Sequence, residues 1–113
     1  MEATKVKKRL VFPDVMTAKQ IANILHRVKR MKWGTGKLKR GDHYCALGML
    51  ARLGGVSKAV LSDKTTLGGP KAVWSVNDAS STKESVARAL CEKGDEPIPV
   101  GSWIRDILKK SGK

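Results

Sequence analysis

Ile21, Ile24, Leu25, Val28 and Met31 recur at intervals of three or four, which is one stripe of an α-helix. Lys19, Asn23, Arg27 and Arg30 fall on the other side. Thr17 followed by Gln20 is a capping-box pair, so a helix is expected over residues 18–31. Residues 44–53 are apolar apart from Arg52 and read as a buried central helix after an Asp42 cap. Gly48 inside it costs about 1 kcal/mol against alanine, which implies a close neighbour at that point. Gly54 and Gly55 stop the helix, and residues 56–61 suit one further short turn of helix. Residues 72–76, with Val73, Trp74 and Val76, read as a strand, the N-terminal arm being its available partner. Ser81 with Glu84 forms a second capping box for a helix bearing Val86, Ala87, Leu90 and Cys91 on its apolar face and ending at Gly94. After Pro97 and Pro99, Ser102 caps a last helix with the stripe Trp103, Ile104, Ile107 and Leu108.

The expected fold is therefore mainly α, with α+β as the alternative: one compact domain of about four helices and a small β element. Residues 1–12 form a basic N-terminal arm, 13–110 the helical domain and 111–113 a tail. The chain has 113 residues, of which 41% are hydrophobic, enough for a single modest core and too short for several domains. No apolar stretch is long enough to cross a bilayer, and the N-terminal charge is not followed by the apolar run of a secretory leader. Cys45 and Cys91 are too few for a disulfide framework and are read as reduced thiols in a cytoplasmic protein.

Charge changes the picture most. Lys and Arg number 23 against 10 Asp and Glu, a formal net charge of +13. Residues 1–40 hold 12 of those cations and only Glu2 and Asp14, so the excess belongs to the N-terminal part. Three clusters build it: Lys5, Lys7, Lys8 and Arg9; Arg27, Lys29, Arg30 and Lys32; and Lys37, Lys39 and Arg40. Clustered cations of this kind are the electrostatic footprint of a polyanion binder. The plain alternative is a solvated charged surface, and an acidic protein competes with nucleic acid as the partner. A membrane surface fits less well, because the cations do not flank a strongly amphipathic aromatic helix. The second cluster runs into residues 33–41 and the third lies within them, a loop carrying Gly34, Gly36 and Gly41.

Other chemistry is thinner. Gly34, Gly36 and Lys37 resemble a phosphate loop, but the Gly-Lys-Ser/Thr ending and the preceding strand are missing. The loop is kept as a phosphate-backbone contact only. Cys45, expected in a first helical turn, could be activated by the helix dipole, with His26 or His43 as base and Asn77 or Asp78 to orient it. The competing reading is a small buried residue packing where the helix enters the core. His26, His43, Cys45 and Cys91 lack the spacing of a metal site, so no metal and no cofactor are expected. Trp74 and Trp103 sit in core patterns. Trp33, beside the basic loop, is the tryptophan expected to be exposed, either stacking a base or covering the edge of the first helix.

His43-Tyr44-Cys45-Ala46-Leu47-Gly48-Met49-Leu50-Ala51 resembles the (W/Y)C-x-LG-x-L segment of small uncharacterised bacteriophage and prophage proteins. Val76-Asn77-Asp78, followed by the helix over 81–93, is similar to the N-D plus helix segment that follows it in those proteins. The resemblance covers residues 43–93 and implies a phage or prophage origin, a host-cell location and a mainly helical fold, with no activity attached. It also implies a fold role for Asn77 and Asp78. The family pattern is often acidic, and a charge of +13 departs from it.

The function expected from these features is binding rather than catalysis. A small phage-encoded accessory protein would hold the nucleic-acid phosphate backbone with Lys7, Lys8, Arg9, Arg27, Lys29, Arg30, Lys32, Trp33, Lys37, Lys39 and Arg40. The alternative is an interaction protein whose basic face grips an acidic host protein such as a polymerase, nuclease or defence complex. A Cys45-dependent thiol hydrolase is a minor third reading.

Overall fold

The computed structural model describes residues 11–29, 31–65 and 67–110. Chain order begins with a short strand β1 (Met16–Thr17) and helix α1 (Ala18–Arg27). Three two-residue strands follow, β2 (Lys32–Trp33), β3 (Lys39–Arg40) and β4 (His43–Tyr44). Then come α2 (Ala46–Leu53), the single turn α3 (Lys58–Leu61), α4 (Lys71–Asp78), α5 (Lys83–Lys93), β5 (Pro97–Ile98) and α6 (Val100–Lys110). The fold is mainly helical with a small β part, as the hydrophobic pattern implies. It has six helices among the described residues: the four expected, the short turn α3 that residues 56–61 suit, and α4, which was not expected as a helix.

α2 is the centre. Every residue from 46 to 51 is buried, and Leu47, Met49 and Leu50 are fully so. Each such side chain contributes about 2 kcal/mol by leaving water. Gly48 permits a close backbone approach, since a Cβ there would strike the Leu38 carbonyl. α1 packs along α5, and α4 touches both α5 and α2. Thr17 and Gln20 form the expected capping box, with hydrogen bonds of 3.1 and 2.9 Å. The next donors of α1 are satisfied from another element: Ala18 N donates to Glu96 O and Lys19 N to Gly94 O. β1 and β5 pair antiparallel beside them, Met16 opposite Ile98.

Several boundaries differ from expectation. α1 ends at Arg27, four residues early, because Val28 turns extended and stays buried; Lys83 Nζ donates to the Val28 carbonyl that the helix leaves free. Residues 72–76 lie within a helix, not a strand. The two buried side chains of α4, Val73 and Asn77, are four residues apart, and this tertiary demand overrides the β preference of Val-Trp-Val. α2 starts after Cys45, since Asp42 is used in a hairpin turn. α5 is capped by Thr82, whose Oγ1 accepts from Ser85 N at 3.0 Å, so the Ser81–Glu84 box does not form. Cys91 is exposed rather than part of the apolar face. α6 begins at Val100, and Ser102 lies inside it; Gly101 is buried where a Cβ would strike the Pro13 carbonyl. Phe12 is buried against this junction, with its carbonyl accepting from Arg105, so the core reaches into the segment expected as an arm. The remainder of that arm, residues 1–10, and the tail 111–113 lie outside the described residues.

Candidate functional site

The segment expected as a plain glycine loop folds into a small sheet of order β2-β4-β3. β3 and β4 are joined by the two residues Gly41 and Asp42, with Lys39 opposite Tyr44 and Arg40 opposite His43. Gly41 has φ +62° and Asp42 does not have positive φ, which is the pattern of a type II′ hairpin. β2 lies parallel on the other side of β4, with Lys32 opposite His43 and Trp33 opposite Tyr44.

Because residues directly opposite one another share a face, this register sorts the side chains into two rows. Lys32, His43 and Arg40 form one row, and all three are exposed. Trp33, Tyr44 and Lys39 form the other: Tyr44 is buried, and the two flanking it are half-buried. The outer row carries the charge and the inner row joins the core. Lys39 Nζ turns to the Gly41 carbonyl and lies 5.9 Å from the Tyr44 ring centroid, so it braces the hairpin.

Asn77 holds the sheet to the helices. It is fully buried. Its Oδ1 accepts from Trp33 Nε1 at 2.7 Å and from Ala46 N at 2.9 Å, and its Nδ2 donates to Gly34 O at 3.3 Å. One amide thus ties β2, the glycine turn and the first free donor of α2 to the end of α4. Asp78 adds a hydrogen bond from Gly36 N at 3.4 Å. Cys45 Sγ accepts from Gly48 N at 3.4 Å and caps α2 with Asn77. Sequence reasoning missed this clamp because a helix over 71–78 was needed to aim Asn77 inward. It missed the hairpin although Gly41-Asp42 between two short runs is a hairpin signal.

The expected binding residues divide accordingly. Lys32 and Arg40 come together on the outer row, with Lys37 on the turn before β3. Arg27 and Lys29 stand where α1 leads into β2. Lys39 and Trp33 belong to the inner row, and Trp33 is held by Asn77 rather than free to stack. Lys7, Lys8, Arg9 and Arg30 lie outside the described residues. Asp42 is an acid beside the outer row: one carboxylate oxygen is 3.1 Å from Lys32 Nζ and the other 3.0 Å from His43 Nδ1. Hydrogen bonding to Lys32 and its charge hold the Asp42 carboxyl below the usual range. Among the described residues, Arg27, Lys29, Lys37 and Arg40 form no ion pair within 4.0 Å.

Burial pushes the Cys45 thiol up from its ordinary value. His43 turns to Asp42, and among the described residues no base bonds to Sγ. No group of three or more His, Cys, Asp or Glu side chains among them is placed to hold a metal ion, and no helix among them is long and apolar enough to cross a membrane. A surface groove of about 560 Å³ lies between α3 and α6, lined by Val60, Leu67 and Ile107. The chain matches no family model, and no curated protein or solved structure is significantly similar to it.

Proposed function

We propose that this protein binds nucleic acid through the phosphate backbone, using the outer face of the β2-β4-β3 sheet. The observation that carries the reading is the register that sets Lys32, His43 and Arg40 side by side in the open. Lys37 on the turn before β3 and Arg27 and Lys29 at the end of α1 are further cations of this segment, and Asp42 pairs with Lys32 while Arg40 forms no ion pair among the described residues. Cations on a clamped framework lose less freedom on binding than the same cations on a loose loop. Phosphate contacts of this kind give affinity and salt dependence without sequence choice. A phage or prophage accessory role in the host cytoplasm is part of the proposal. It rests on the likeness of residues 43–93 to the phage-protein pattern.

The test is charge reversal. The variant Arg27→Glu/Lys37→Glu/Arg40→Glu should bind random-sequence oligonucleotides at least about tenfold more weakly than the parent at low salt. All three side chains are exposed or half-exposed, so the fold should survive, which circular dichroism checks. Undiminished binding would overturn the assignment of the surface. Binding to polyglutamate with none to nucleic acid would move the reading to an acidic protein partner.

A further inference from the structure

The outer row has a ring at its centre, and this goes beyond a reading based on phosphate alone. His43 lies on the middle strand with its side chain 53% exposed. Neighbouring strands are about 4.8 Å apart, so Lys32 and Arg40 emerge one strand to either side of the imidazole. Asp42 flanks the ring: its Oδ1 lies 3.0 Å from His43 Nδ1 and its Oδ2 3.1 Å from Lys32 Nζ. Gly34 runs alongside, its N donating to Tyr44 O at 2.9 Å. A Cβ at Gly34 would lie 3.1 Å from the His43 Cβ and within 4 Å of Cγ and Cδ2. The missing side chain therefore leaves that edge of the ring uncovered.

We propose that this face is a platform for unpaired nucleotides: a base lies on the His43 ring while Lys32 and Arg40 take the phosphates on either side. The proposal rests on the phosphate reading above and names its ligand as single-stranded nucleic acid. Histidine and arginine planes are stacking surfaces for unstacked bases, and every base has a face to offer. A duplex keeps its bases stacked on one another and presents only groove edges and phosphates. The sheet is three strands of two residues each, with the ring lying among the cations rather than on an element that projects into a groove. A duplex would use the cations and leave the ring idle; a single strand uses both.

The experiment measures fluorescence anisotropy of the full chain with labelled oligothymidine and with a duplex, each of about 12 nucleotides per strand. The proteins are the parent, His43→Ala, His43→Phe and Lys32→Glu/Arg40→Glu. The single strand should bind more tightly than the duplex. His43→Ala should weaken single-strand binding about fivefold to a hundredfold and leave duplex binding within about twofold, and His43→Phe should restore the single-strand affinity. If His43→Ala leaves single-strand binding unchanged while Lys32→Glu/Arg40→Glu weakens both ligands, the platform is wrong and the phosphate reading stands. If the parent binds neither ligand at low salt, both fail together.

Discussion

Asn77 does with one amide what the short strands cannot do for themselves. Removing it leaves the buried Ala46 N–H and the part-buried Trp33 indole N–H without an acceptor, and a buried donor left unpaired costs about 1–3 kcal/mol. Asn77→Ala should therefore destabilise the protein by about 3 kcal/mol in urea unfolding. Trp33, no longer held, should become more exposed by fluorescence quenching. Asn77→Asp keeps an acceptor for both donors but turns a carboxylate oxygen toward Gly34 O in place of the amide N–H, so it too should destabilise. Cys45 offers a second test at this scale. Burial favours its neutral thiol over the thiolate, so in the native state Cys45 should alkylate slowly with iodoacetamide while exposed Cys91 reacts freely. A raised thiol pKa is a group that holds its proton more tightly when folded. Its contribution to stability is whole below the ordinary value of 9.0 and is lost as pH rises above it. Fast labelling of Cys45 at neutral pH would revive the hydrolase reading.

Gly48 separates helix propensity from packing at the level of the element. In an exposed helix Gly→Ala gains about 1 kcal/mol. Here the added methyl group would meet the Leu38 carbonyl, backbone that is itself bonded to Cys45 N. Gly48→Ala should therefore lower stability by about 2 kcal/mol or more, and a rise in the urea midpoint would contradict the packing of the Leu38 backbone on α2. The elements with long apolar stripes were legible in the sequence: α1 with its Thr17–Gln20 box, buried α2, and the bodies of α5 and α6. Those that failed were decided by partners distant in the chain. The Val73–Asn77 pair makes α4 a helix because Asn77 is needed by Trp33 and Ala46, and no local pattern reports that. The cations of the site were legible as clusters, but their sorting was not. A shift of one position along a strand exchanges outward for inward, so Arg40 and Lys39 look alike in sequence and do different work in the fold. In the sequence His43 reads as a base for Cys45 or a member of a metal set, and its place between Lys32 and Arg40 comes from register alone.

For the whole molecule, a net charge of +13 on 113 residues is an argument about partners rather than about fold. The helical core is built from α1, α2, α4, α5 and α6, and the sheet lifts part of the excess charge onto one clamped surface. The central claim is that this surface, and not general cationic character, meets the phosphates. The slope of log K against log salt tests it most directly, because it counts counterions released by the contacts made. For a single strand each phosphate contributes about 0.7 to the slope. The account predicts a steep negative slope for the parent, made shallower by about 1.4 when Lys37 and Arg40 are both changed to Glu. A variant that keeps the parent slope would contradict it, and would place the phosphates elsewhere on the protein.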